Sequence, residues 1–199
     1  MVDVIMEADG IGFSVQAVAN RAGVTHRTIY NHFPTREALC DAFSDYVDDL
    51  LGASAGRTEE PAWSLDSLPT IVEGLYRTLA MRDRHARAYV MLMIGNRRPM
   101  SAWRKRSLMA EKLIAREQSG RLTLTPRQVT AVIRMFVSTI GWHLLTEQCG
   151  LSTDEAAAAS AWATRTLLDA AIAKGATKRT AKPSSSPSQG TANATRRRN

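Results

Sequence analysis

The chain has 199 residues, 44% of them apolar, and a formal net charge of +7, enough apolar material for a substantial core in one large or two small domains. No apolar run approaches the length of a membrane span, and the acids Asp3, Glu7 and Asp9 argue against a secretory leader. Only Cys40 and Cys149 are present, without metal spacing or a second pair, which fits a cytoplasmic setting with both thiols buried or idle.

In chain order, the first informative stretch is FSVQAVANRAGVTHRTIYNHFPTREAL, residues 13–39. Ser14 is suited to cap one short helix and Thr25 the next, because each hydroxyl can accept a bond from a free first-turn amide. Phe13 with Val18, and Val24 with Ile29, are spaced as apolar clamps across these two starts. Ala22-Gly23 stops the first helix, glycine supplying left-handed backbone, and Pro34 disfavours helical geometry at Phe33. The product is a helix-turn-helix, whose second helix is the one able to occupy a DNA major groove. On that helix Ile29 and Phe33 are placed to pack inward. His26 with Tyr30, and Arg27 with Asn31, share the opposite face. Arg27 can pair with a guanine edge, His26 and Thr28 can exchange hydrogen bonds with bases, and Tyr30 and His32 are better placed for backbone oxygens. Thr35 can cap a following helix whose free amides, with Arg36, form a phosphate site. An incidental helical hairpin in an unrelated all-helical protein is the alternative that spacing alone leaves open.

The remainder reads as helix, with no strand pattern. Arg36–Leu51 continues as a linking helix, and residues 52–61 form a polar loop. Leu65–Met81 has the apolar period of an amphipathic helix. A helix over Arg84–Ile94 ends at the breaker run 95–99, and another runs from Ser101 to about Glu117. Thr125-Pro126 opens a long helix expected to reach Cys149, and Thr153 is expected to cap a last helix ending near Lys174-Gly175. Val129, Val132, Ile133, Phe136, Val137, Ile140 and Leu144 repeat at three and four, giving a broad apolar face. Gly141 and the alanines of the last helix permit close approach. These two helices are therefore the expected dimer surface, with Val137, Ile140, Leu144, Ala159, Trp162, Ala163, Leu167 and Ala170 as its candidate residues; burial within one chain is the alternative.

Charge is unevenly spread. Residues 1–50 hold three arginines against eight acids, yet between Asp9 and Glu37 there is no acid, only Arg21, Arg27, Arg36 and two histidines. The reading surface is thus expected to be locally positive in an acidic domain, with few phosphate contacts. Arg97, Arg98, Arg104, Lys105 and Arg106 form a basic cluster that reads either as a solvated face or as a further nucleic-acid patch. Residues 175–199 carry six basic residues, no acid and no large apolar group, the composition of a disordered tail.

The segments Ala19-Asn20-Arg21-Ala22-Gly23-Val24-Thr25, Thr28-Ile29-Tyr30-Asn31-His32-Phe33 and Pro34-Thr35-Arg36-Glu37-Ala38-Leu39 resemble the DNA-binding segment of tetracycline-repressor-like (TetR) regulators. The likeness joins turn, core and phosphate contacts in one stretch covering about an eighth of the chain. It departs from the family pattern ahead of the motif, where MVDVIMEAD allows a shortened first helix and no basic arm. Either the start lies upstream or fewer DNA contacts are made; Val2, Ile5 and Met6 remain available to cover the motif's back.

The resemblance implies an all-α protein with an N-terminal DNA-binding domain and linking helix over 1–50, a helical effector-binding and dimerisation domain over 51–174, and the tail beyond. It implies DNA contacts from Gln16, Thr25, His26, Arg27, Thr28, Tyr30, Asn31, His32, Thr35 and Arg36. It further implies an effector pocket among central helices rich in aromatic and thioether groups. Tyr89, Met93, Trp103, Met135, Phe136, Trp142 and His143 are the candidates, with Trp63, Met91 and Met109 of the same character. The expected activity is that of a homodimeric repressor released from a two-fold operator by a small, largely apolar molecule. No catalytic constellation, cofactor, metal or membrane partner is expected. A helical-bundle enzyme or ligand carrier, and an architectural DNA protein driven by the tail, are the readings from other classes.

Overall fold

The computed structural model describes residues 1–8, 13–54, 64–96, 98–118 and 124–177, and every regular element among them is helical. The two caps of the hairpin form as the sequence requires. Ser14 Oγ accepts from the Ala17 amide at 3.0 Å to start α2 (Val15–Ala22), and Thr25 Oγ1 accepts from the Thr28 amide at 3.1 Å to start α3 (His26–His32). Each such cap contributes about 1 kcal/mol. Gly23 lies between them at φ +67°, in left-handed backbone that a side chain would strain. Phe13 and Val18 are buried; Val24 stays exposed while Ile29 is buried, so the clamp at the second start is less complete than the first.

Ahead of the hairpin, α1 (Val2–Glu7) buries Val4 and Ile5, with Val2 and Met6 half-buried against the same core. Asp3 pairs with Arg21 of α2 and with Arg84 of the body, and Glu7 pairs with Arg21 as well. The short first helix therefore ties the hairpin to the body. Thr35 Oγ1 caps α4 (Arg36–Ser54), accepting from the Ala38 amide at 3.0 Å. This helix extends past the predicted end at Leu51, and most of the predicted polar loop lies outside the described residues.

In the body, α5 (Leu68–Met81) starts three residues later than its periodicity suggests, because Leu65–Ser67 form a turn in which Ser64 and Ser67 exchange amide-to-hydroxyl bonds. Then follow α6 (Asp83–Gly95) and α7 (Ser101–Gln118). Thr125 and Gln128 make a reciprocal capping box at the start of α8 (Pro126–Phe136).

The single helix predicted to run to Cys149 is broken. Val137 and Ser138 leave helical geometry, and Ser138 Oγ caps α9 (Thr139–His143) through the Gly141 amide at 3.1 Å. The break has a tertiary cause. Tyr76 Oη of α5 donates to the freed Phe136 carbonyl at 2.7 Å and shares a hydrogen bond with Ser160 Oγ at 2.8 Å. Burial pushes the Tyr76 phenol up to about 12, so it remains a neutral donor. Gly141 lets this junction close, since an added Cβ would stand 2.2 Å from the Met135 carbonyl oxygen and 2.9 Å from Tyr76 Oη. After α9 the chain makes a π turn, Leu144–Gln148, in which the Cys149 amide reaches the Leu144 carbonyl at 3.1 Å.

The last helix, α10 (Thr153–Thr177), is capped by Ser152 and not by Thr153. Glu155 accepts from the Ser152 amide at 2.8 Å while its own amide reaches Ser152 Oγ at 3.3 Å. It runs past the predicted stop at Gly175, and the rest of the basic tail lies outside the described residues. Helix α10 packs along α5 and also meets α8 and α9. Both cysteines are free thiols: Cys40 is buried and Cys149 is exposed, so of the two alternatives, buried or idle, burial applies to Cys40 alone.

One core runs through head and body. Val18, Ile29, Leu39, Phe43, Val47 and Leu51 are continuous with Val72, Tyr76, Leu79, Tyr89, Leu92 and Trp142. A second, smaller cluster joins Leu65, Leu68, Leu113, Ile114, Val129, Ile133 and Leu168. Pro126–Gln148 is long and apolar enough to cross a membrane by length and composition, which the sequence reading did not anticipate. It is interrupted at Val137-Ser138, and 44% of its most apolar window is buried inside the bundle.

Candidate nucleic-acid interface

Helix α3 offers its polar face outward, as its residue order requires. Ile29 is buried and Phe33 half-buried beneath it, while His26, Arg27, Tyr30, Asn31 and His32 are exposed. The His26 and Tyr30 rings meet edge-on with centroids 4.7 Å apart, which braces both side chains across one turn. Thr28 is half-buried and its hydroxyl bonds that of Thr25 at 2.8 Å, so part of its capacity is already used. Gln16, on the exposed side of α2, donates from Nε2 to Asn20 at 2.8 Å. Thr35 is exposed beside its cap.

The basic residues around this face are not equivalent. Arg21 is engaged by Glu7 and Asp3, whose hydrogen bond and charge raise its pKa further. Arg36 is half-buried: its guanidinium lies 4.3 Å from the Phe13 ring centroid and reaches Asn96 Oδ1 at 3.4 Å. Arg27 carries no ion pair among the described residues. Of the three arginines, Arg21 is neutralised by acids and Arg36 keeps its charge but is held in place, which leaves Arg27, at the second position of the exposed helix, as the cation with the most freedom to reach outward. Removing the Tyr30 hydroxyl (Tyr30→Phe) should weaken DNA binding by about 1 kcal/mol, evenly across sequences. Mobility-shift titrations on operator and scrambled DNA measure this, and an altered base preference would reassign Tyr30 to the bases.

In the basic cluster Arg97 lies outside the described residues, Arg98, Arg104 and Lys105 are exposed as a solvated face requires, and Arg106 is half-buried; the three on α7 are nevertheless engaged by acids. Arg104, Lys105 and Arg106 pair with Asp41, Asp45 and Asp48 of α4, and Ser101 at the start of α7 donates its amide to Asp41 Oδ1 at 2.7 Å and its hydroxyl to Asp45 Oδ1 at 2.8 Å. Desolvation raises the Asp45 pKa, but the bonds from Ser101 and Lys105 outweigh it and the net direction is down. A three-rung ladder therefore joins the helix that leaves the reading head to the centre of the body.

The effector residues expected from the sequence do not line one cavity. Met135 is exposed, Trp142 is buried in the main core, and His143 and Met93 are half-buried. The Phe136 carbonyl is taken by Tyr76. Trp63 lies outside the described residues. A narrow cavity of about 40 Å³ lies instead between α5, α7 and α8, walled by Leu68, Ile71, Leu75, Leu113, Ile114 and Ile133, with Arg106 and Arg134 at its polar side. Trp103 and Tyr89 are nearby: the Arg134 guanidinium lies 4.1 Å from the Trp103 ring centroid, and Tyr89 is within its electrostatic reach. Sequence reasoning missed Arg134. The available signal was a lone cation inside the apolar repeat Ile133, Phe136, Val137.

The expected dimer residues divide in two. Trp162 is 70% exposed on α10, and Leu144 and Ala170 are exposed. Ala159, Ala163, Leu167, Val137 and Ile140 are half-buried. Gly141 and the alanines at 156, 157 and 161, expected to serve close approach at that surface, are used within the chain.

Residues 5–43 match the family model of bacterial regulatory proteins of the tetR family. No curated protein and no solved structure matched the chain. The matched residues include both caps, the left-handed glycine and the whole outward face of α3, so this segment is similar to the DNA-binding part of tetR-family regulatory proteins.

Proposed function

We propose that the protein is a homodimeric, ligand-responsive repressor acting in the cytoplasm, in which α3 of each copy reads one half of a two-fold operator. It is read as a regulator and not as an enzyme. The observation that carries this reading is the outward, cap-braced face of α3 with Arg27 unpaired upon it. Arg27 is assigned to a guanine edge, with His26 and Asn31 beside it, and Tyr30, His32 and Thr35 to the DNA backbone. Footprinting on the DNA upstream of its own gene tests the assignment. Protection of a two-fold site is expected, and salt-independent absence of binding would favour a helical carrier instead.

Pairing of two copies is supported by Trp162. A large aromatic side chain left 70% exposed, flanked on α10 by Ala158, Ala159 and Ala163, is a poor solvent surface and a good anchor for a second copy. Trp162→Glu should weaken self-association by about 2–4 kcal/mol, read by sedimentation as a shift from dimer to monomer. A variant that remains dimeric at the same concentration would move the interface elsewhere. Response to an effector is supported by the α4–α7 ladder, which connects the cavity wall to the linking helix. A ligand shifts operator affinity only by preferring one arrangement of that connection over the other.

A further inference from the structure

The cavity between α5, α7 and α8 is apolar on most of its walls, yet it holds two guanidinium groups and few means of neutralising them. Arg134 is 8% exposed, its Nε has no hydrogen-bond partner, and no carboxylate pairs with it among the described residues. It lies over the Trp103 ring, a contact that supports a cation without neutralising it, with the Tyr89 phenol within electrostatic reach. Arg106, on the same wall, has Asp48 as its acidic partner. Two cations therefore face one anion beside an apolar void. A buried unpaired charge is costly, and an incoming anion would offset that cost. Burial lowers the Arg134 pKa to about 10, which still leaves it cationic at neutral pH.

We propose that this cavity anchors a small organic carboxylate with an apolar body: the void of about 40 Å³ admits the head, which pairs with Arg134 and competes with Asp48 for Arg106, and the body enters only as the apolar wall parts around it. The body of the ligand lies against Leu68, Leu113 and Ile133. Guanidinium is the side chain best matched to a carboxylate, because its planar fork can meet both oxygens. Drawing Arg106 from Asp48 opens one rung of the ladder on α4, two turns beyond the rung at Asp41 that lies nearest the reading head. The inference rests on the ligand-responsive reading above and gives that ligand a chemical class.

The test compares hexanoate and benzoate with hexanol and benzyl alcohol on the full chain, by calorimetry and by release of the operator. The carboxylates are expected to bind at least about tenfold more tightly than the matched alcohols and to weaken DNA binding. Arg134→Met should remove that preference, so that carboxylate and matched alcohol bind alike, with circular dichroism verifying its helix content. Asp48→Asn, outside the cavity, should raise carboxylate affinity by about tenfold, since it removes the competing anion. Equal binding of alcohols and carboxylates, or carboxylate affinity indifferent to both substitutions, overturns the proposal. Release of the operator by the alcohols alone would overturn the anion assignment and leave ligand response standing. Carboxylate binding with no effect on DNA would establish the site and overturn its coupling to the operator.

Discussion

Arg27→Ala is expected to weaken operator binding by about 1–3 kcal/mol and to relax discrimination at a single base pair. The size follows from the surroundings of the side chain. Arg21 is held by Glu7 and Asp3, and Arg36 lies over Phe13 against Asn96, so neither is free to replace Arg27. Removing Arg27 leaves the exposed face of α3 with neutral donors and two histidines. Titration against a set of operators changed one base pair at a time measures the effect. A loss of equal size on specific and random DNA would show that Arg27 contacts a phosphate, and the slope of affinity with salt would then fall by about one charge.

Gly141→Ala is expected to destabilise the fold by about 3 kcal/mol, at the upper end for overpacking. The added methyl would stand 2.2 Å from a backbone carbonyl oxygen and 2.9 Å from the buried Tyr76 hydroxyl. A flexible side chain could rotate away, but the Met135 carbonyl belongs to the end of α8 and can retreat only if the helix moves. That movement would also part Tyr76 from Phe136 and Ser160. Denaturant unfolding measures the change. Gly74→Ala is the control, because a Cβ there meets nothing within 4 Å in the middle of α5, and it should be neutral or stabilising. If both variants unfold at the same denaturant concentration as the parent, the α8–α9 junction is looser than its packing indicates.

The hairpin was legible because its determinants are local. Ser14, Thr25, Gly23 and Pro34 each act within four residues of themselves, and the helix period then decides which side chains face outward. What escaped the sequence reading depends on residues far apart in the chain. The α8–α9 break needs Tyr76, sixty residues away from the carbonyl it binds. The acids of α4, Asp41, Asp45 and Asp48, and the bases of α7 are both visible as charge runs, but only packing brings them together. Aromatic and thioether side chains pointed to a pocket by type alone. Their placement depended on which faces α5 and α10 had already covered, and that put Trp142 in the core and Met135 on the surface. Arg134 reversed the usual inference from charge to solvent.

Because a hydrophobic seam passes from Ile29 through Phe43 and Leu51 to Leu79, the helix-turn-helix is meshed side chain to side chain with the body along that line. Any signal reaching it must travel as sliding between tightly meshed side chains, in steps of an ångström or two that switch between discrete fits. Small displacements suffice if, as proposed, two copies straddle one double helix, since both grips must register at once.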